Sequence, residues 1–152
     1  MKKFFIYTLL LCAAAIPLRA EFSYDEGYSQ FQSWNPYYLS QNEQYSSPII
    51  YVFYNSQTCD ENCAPAISAI EEVYDENFMN EYRFFVIDYF DDDENDFIGA
   101  YNLNTPLVMV LQQVENGQPT TFRKYSGLNY TFVEGPDFSD GIKQDIQYYF
   151  AN

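Results

Sequence analysis

Short apolar runs alternate with longer amphipathic segments along the chain from residue 49 onwards. Ile49 to Tyr54, "IIYVFY", is a continuous apolar run rich in β-formers, which is typical of a strand buried on both faces. The same pattern predicts a second buried strand at Arg83 to Tyr89 and a third strand at Leu107 to Leu111. A fourth strand is predicted at Thr120 to Tyr125, after the hairpin signal Asn116-Gly117.

Helical periodicity fills the intervals between these strands. The longest helix is predicted from about Cys63 to Asn80, a short one around Phe97 to Tyr101, and a C-terminal one that includes Phe150. The segment "WNPYYLSQNEQYSSP" predicts an N-terminal aromatic helix that Pro48 ends. The apolar faces of the longest and the C-terminal helix consist of Ile67, Ile70, Tyr74 and Phe78, and of Ile142, Ile146, Tyr149 and Phe150.

The order of these elements predicts one α/β domain over residues 33–152. Its first part is a βαβ unit, so the two strands should be parallel with a right-handed crossover. The final hairpin should add an antiparallel edge. The expected architecture is a central mixed four-stranded sheet flanked by helices, with the aromatic helix at its N-terminus. Residues 21–32, "EFSYDEGYSQFQ", lack a clean period and are predicted to be a loose lead-in segment.

The first 20 residues have the pattern of a secretory signal peptide. Lys2 and Lys3 precede an apolar run from Phe4 to Ile16, Pro17 breaks that run, and Ala20 suits the last position before cleavage. A transmembrane helix needs roughly 20 apolar residues, which makes an uncleaved anchor the weaker alternative. We expect a cleaved, periplasmic or secreted product with no membrane attachment.

Charge and composition exclude several classes of function. The chain has 22 acidic and 7 basic residues, no histidine, and a formal charge of −15. Cleavage would remove three basic residues and no acidic one, which gives −18 and argues against nucleic-acid or anionic-membrane partners. The absence of histidine excludes Ser-His-Asp and Cys-His catalysis and any metal site that needs imidazole. About 130 remaining residues suit one domain, which we expect to be a monomer.

The stretch "SQTCDENCAP" holds Cys59 and Cys63, separated by three residues. Pro65 fits only the first turn of the following helix, so Cys59 should lie in the loop before it, where the chain can bend to close a disulfide. Asp60 and Glu61 oppose the stabilisation of a thiolate by the helix N-terminus. We therefore predict a thiol pKa near or above its ordinary value and a disulfide that is hard to reduce. Thiol–disulfide exchange, a structural disulfide and a metal site are the three interpretations of the pair.

A cysteine pair between the first strand and its helix resembles the thioredoxin fold. The matching features are "PIIYVFYNSQTCDENC", the strand that ends at Asp88, and "AYNLNTPLVMVL". The resemblance covers roughly Trp34 to Phe150. It implies an exported protein of the thioredoxin-like superfamily, with a CxxxC variant of the redox motif.

The resemblance also implies roles for individual residues. Cys59 would be the attacking thiol and Cys63 the resolving one, with protein or peptide thiols and disulfides as partners and no organic cofactor. Pro106 matches a proline that in the family is in the cis form and faces the cysteines. Thr105 and Pro106 would then dock the substrate chain.

Several residues depart from the family pattern. The motif is CxxxC rather than CxxC, Thr58 replaces the usual tryptophan, and residues 49–53 contain no buried acid. The CxxxC spacing also occurs in thioredoxin-like copper chaperones, which add a histidine ligand and place prolines directly after the cysteines. This chain has no histidine and Pro65 comes one residue late, so the copper interpretation is weak.

Two further features have competing interpretations. Five carboxylates within residues 91–96 suggest a calcium loop but lack the alternation and central glycine of an EF-hand, so a solvated helix start is the simpler interpretation. The tyrosines between Tyr24 and Tyr54 suggest an aromatic surface for a peptide or glycan, although such residues more often complete a core. They support the alternative function, a non-catalytic thioredoxin-fold binding module with a structural disulfide.

Overall fold

The computed structural model describes residues 24–28, 47–61, 63–90, 96–126 and 136–151. The predicted signal segment, the predicted aromatic helix and nearly all of the acidic loop at 91–96 lie outside these ranges. Within them, no helix has the length and apolar character needed to cross a membrane. The described elements are β1 (Tyr24–Tyr28), β2 (Ile49–Tyr54), α1 (Cys63–Asn77), β3 (Arg83–Asp88), α2 (Asp96–Tyr101), β4 (Leu107–Glu115), β5 (Gln118–Ser126) and α3 (Pro136–Phe150).

The described strands form one mixed sheet in the order β1-β5-β4-β2-β3. The predicted parallel pairing of the first two strands of the βαβ unit is confirmed for β2 and β3. The predicted hairpin is also confirmed, because β4 and β5 pair antiparallel around Asn116 and Gly117. Both turn residues have a positive φ, 53° and 77°, as a two-residue hairpin turn that matches the twist of its strands requires.

The apolar strand β2 lies inside the sheet and is buried on both faces, as its sequence predicts. Ile50 and Val52 belong to the cluster that packs against α1 and α3. The alternate residues Tyr51 and Phe53 belong to the cluster on the opposite face, with Phe97 and Tyr101 of α2. Full burial of one such side chain is worth roughly 1.5–3 kcal/mol, so both layers of helices depend on this strand.

Strand β3 differs from its prediction as a buried strand. It forms the end of the described sheet, most of its side chains are only half-buried, and Val86 is 36% exposed. The prediction of a strand is nevertheless confirmed. Its apolar residues are needed because each face of the strand contacts a core cluster: Phe84 packs on one cluster and Phe85 on the other. A continuous apolar run therefore identified the strand but not its position in the sheet.

Strand β1 was not predicted, because residues 21–32 were interpreted as a loose lead-in. Tyr24–Tyr28 pairs antiparallel with β5, which makes the sheet five-stranded and places β1 rather than β5 at that edge. The register sets Asp25 opposite Lys124 and Glu26 opposite Arg123. Oppositely charged residues directly across two strands stabilise their pairing, so both pairs favour this register.

Arg123 contacts two side chains of β1. Its Nε donates to Oε1 of Glu26 at 2.9 Å, and its guanidinium lies 4.1 Å from the ring centroid of Tyr24. Gly27 adds close packing, because a Cβ there would lie 2.7 Å from Cζ of Phe122. The side chain of Arg123 is buried whereas that of Glu26 is about half exposed. The ion pair is therefore stronger than a surface pair but weaker than one buried at both ends.

Replacing Arg123 with methionine should detach β1. We expect Arg123→Met to lower the free energy of unfolding in urea by about 1–2 kcal/mol, because the carboxylate of Glu26 loses its partner. Hydrogen exchange at residues 24–28 should accelerate at the same time. Lys143→Met on α3 is the matched control, since it removes one positive charge without touching β1. Equal stability of the two variants would contradict the assigned role of Arg123.

Candidate functional site

Cys59 and Cys63 form a disulfide, with their Cα atoms 5.6 Å apart. Cys63 is the first residue of α1 and is 3% exposed, whereas Cys59 lies in the preceding loop and is half-buried. Pro65 is the third residue of the helix, within its first turn, as predicted. The feasibility of the bond and the positions of both cysteines are confirmed.

Asn55, the residue after β2, shapes the cysteine loop. Its side-chain oxygen accepts a hydrogen bond from the N–H of Gln57 at 3.0 Å. Its backbone carbonyl accepts from the N–H groups of Thr58 and Cys59 at 3.0 and 2.7 Å. This is the local turn that asparagine favours, and it directs the chain back towards the start of α1.

Asp88, the last residue of β3, ties the same loop to the neighbouring strand. Its Oδ1 accepts hydrogen bonds from the N–H groups of Ser56 and Phe90, at 3.2 and 3.0 Å. Partial burial opposes ionisation, but the hydrogen bonds from Ser56 and Phe90 outweigh it and lower the pKa of Asp88 below its ordinary value. The carboxylate is therefore negatively charged at neutral pH.

The predicted docking residues, Thr105 and Pro106, lie at the same end of the sheet as the cysteine loop. The N–H of Asn55 donates to the carbonyl of Pro106 at 3.0 Å. The hydroxyl of Tyr89 donates to the carbonyl of Thr105 at 2.8 Å. Asn55 thus contacts both Pro106 and Cys59, so the structure brings the predicted site residues together at one end of the sheet.

The Thr105–Pro106 peptide bond is trans, so the expected cis proline is wrong for this chain. The trans form of an X–Pro bond is favoured by about 0.5–1 kcal/mol unless the surroundings require the other isomer. Both carbonyls also accept hydrogen bonds from within the protein. A substrate chain would have to use the second lone pair of each carbonyl.

Two acidic residues lie beside the disulfide in the sequence. Asp60 and Glu61 follow Cys59 directly and are exposed to solvent. The carbonyl of Asp60 accepts the N–H of Cys63 at 3.1 Å, which sets the start of α1. The part of the chain that the structure describes contains no group of three histidine, cysteine or carboxylate side chains placed to hold a metal ion. The acidic loop considered for calcium lies almost wholly outside that part.

Sequence reasoning missed the contribution of two residues to this site. Asn55 and Asp88 position the cysteine loop, yet Asp88 was predicted only to end a strand and Asn55 was given no role. An asparagine directly after a strand and before Ser-Gln-Thr is a turn signal that could have identified the first. The bond from Ser56 to Asp88 spans 32 residues, so no local pattern could reveal it.

Comparisons with protein-family models, with curated proteins and with solved structures found no match to this chain.

Reduction of the disulfide should leave the protein folded. The bond closes a ring of only five residues, so the chain-entropy relation gives it about 2 kcal/mol of stabilisation. We expect the reduced protein to keep a cooperative urea transition with a free energy of unfolding lower by about that amount. The Cys59→Ala/Cys63→Ala variant, measured with and without reductant, controls for effects of the reductant itself. Loss of cooperative unfolding on reduction would show that the bond is an essential structural link.

Proposed function

We propose that this protein is an exported thioredoxin-like protein that performs thiol–disulfide exchange through Cys59 and Cys63. The observation that supports it is the asymmetry of the bonded pair. Cys59 is partly accessible on a loop, and Cys63 is buried at the first position of a helix. Exchange requires one sulfur that a substrate can reach and a second sulfur, close by, that displaces the substrate.

In the proposed reaction the reduced pair donates two electrons to a substrate disulfide. The thiolate of Cys59 attacks one substrate sulfur, the substrate S–S bond breaks, and the leaving thiolate takes a proton from water. The thiolate of Cys63 then attacks Cys59, which breaks the mixed disulfide and releases the second substrate thiol. This step forms the Cys59–Cys63 disulfide, which an external dithiol donor then reduces again.

The charges at the site favour this direction. Thiolates beside Asp60 and Glu61 are destabilised, so the reduced form of the pair gains little from ionisation. A pair whose reduced form is poorly stabilised has a low reduction potential and acts as a reductant. The N-terminus of α1 offsets part of this effect at Cys63.

Substrate chains are proposed to lie across Thr105 and Pro106. These residues are half-buried. They lie at the same end of the sheet as the cysteine loop and are joined to it by the hydrogen bond from Asn55 to Pro106. Phe90 offers an apolar surface at that edge, since it is 41% exposed and its N–H is bonded to Asp88. An extended peptide could contact both features while presenting its sulfur to Cys59.

The alternative is a non-catalytic binding module in which the disulfide is structural. It is favoured by one observation: Cys63 belongs to the main core cluster, and Cys59 packs against that cluster. In this alternative the buried sulfur contributes packing and is not released as a thiolate. Trapping of a substrate distinguishes the two functions.

Trapping experiments should identify Cys59 as the attacking sulfur. Reduced Cys63→Ser protein, mixed with a peptide disulfide, should accumulate a mixed disulfide at Cys59, because the resolving thiol is absent. The reduced Cys59→Ser variant is the matched control, and its buried Cys63 should react at least about tenfold more slowly. Mass spectrometry of the alkylated proteins measures both. Absence of any adduct on Cys63→Ser protein would contradict exchange and favour the structural disulfide.

A further inference from the structure

We propose that the exchange site selects cationic thiols and disulfides and discriminates against anionic ones. This inference rests on the proposed function and specifies its substrate class, namely peptides with positive charge beside the reacting cysteine. It is argued from the distribution of charged residues around the Cys59–Cys63 bond.

The segment of the chain that contains the disulfide has no positive side chain. No lysine or arginine occurs between residues 20 and 82, a segment that includes β2, the cysteine loop and the whole of α1. Arg123 and Lys124 pair with carboxylates of β1, at the opposite edge of the described sheet from β3. Arg83 begins β3, at the end of that strand away from Asp88, and donates to the carbonyl of Ser47.

Carboxylates, by contrast, lie on the cysteine loop itself and on the strand that is hydrogen-bonded to it. Asp60 and Glu61 are exposed on the loop that follows Cys59. Asp88 approaches from β3 and is held ionised by the N–H groups of Ser56 and Phe90. The potential that an incoming sulfur meets is therefore negative on the loop side and on the strand side of the disulfide.

This potential acts directly on the exchange reaction. When an external thiol reduces the oxidised pair, the incoming molecule is a thiolate, so a second negative charge on it adds repulsion, whereas an ammonium group adds attraction. The site is open to solvent at Cys59, so salt must weaken the effect. Peptides with lysine or arginine next to cysteine have the required charge, whereas small acidic thiols do not.

The experiment measures how fast small thiols reduce the oxidised, full-length protein. The probes are cysteamine, 2-mercaptoethanol and 3-mercaptopropionate, which are cationic, neutral and anionic. Each rate is first expressed as a rate constant per thiolate. It is then divided by the corresponding rate constant of the same thiol with a neutral reference disulfide. We expect the corrected rate of cysteamine to exceed that of 3-mercaptopropionate by about tenfold or more at about 10 mM salt. At about 0.5 M salt the ratio of the two corrected rates should be less than about threefold.

Charge-neutralising variants test whether the local carboxylates cause the preference. Asp60→Asn/Glu61→Gln should reduce the low-salt ratio at least about threefold. Asp75→Asn/Glu76→Gln is the matched control, because it changes the net charge equally at positions about 18 Å further along α1. That control should keep the ratio of the unaltered protein.

The outcomes separate this inference from the proposed function. Rapid reduction by all three thiols with equal corrected rates would overturn the charge selection and leave exchange intact. An equal loss of preference in both double variants would overturn the assignment to Asp60 and Glu61. Failure of every thiol to reduce the bond within hours would overturn the exchange function on which the inference rests.

Discussion

The strand β2 must be covered on both faces, and the rest of the structure depends on that requirement. Its alternate residues pack against α1 and α3 on one side and against α2 on the other, which places helices on both faces of the sheet. Where the strand ends, the carbonyl of Tyr54 accepts a hydrogen bond from the N–H of Tyr89, and the N–H of Asn55 donates to the carbonyl of Pro106. This buried strand thereby positions the loop that carries Cys59, and the helix start that carries Cys63 follows from the same turn.

Charge gives the molecule its second organising feature. Two basic residues, Arg123 and Lys124, are committed to holding β1 on β5, far along the sheet from the cysteine loop. The disulfide is left among carboxylates, one of which, Asp88, also holds the loop in place. In the proposed exchange reaction, this excess of negative charge would disfavour thiolates at the site and favour cationic substrates.

Local patterns predicted the parts of the fold that are specified locally. The six residues of β2, the Asn116-Gly117 turn and the start of α1 at Cys63 were all correctly placed, because each depends on neighbours in sequence. Strand β1 was missed, since its sequence, Tyr-Asp-Glu-Gly-Tyr, lacks the apolar alternation that identifies a strand and its pairing with β5 spans about 100 residues. The two cysteines were identified as the candidate site, whereas Asn55 and Asp88 were not. The turn at Asn55 is local and could have been recognised, but the bond from Ser56 to Asp88 forms only when the sheet is assembled.

The reduction potential of the Cys59–Cys63 pair tests the central claim most directly. The protein would be equilibrated in graded thiol–disulfide buffers, trapped by alkylation and counted by mass spectrometry. A reductant of the kind proposed should have a potential between about −200 and −270 mV, within the range of exchange proteins. A potential below about −300 mV would mean that the bond is structural, and it would contradict the proposed exchange.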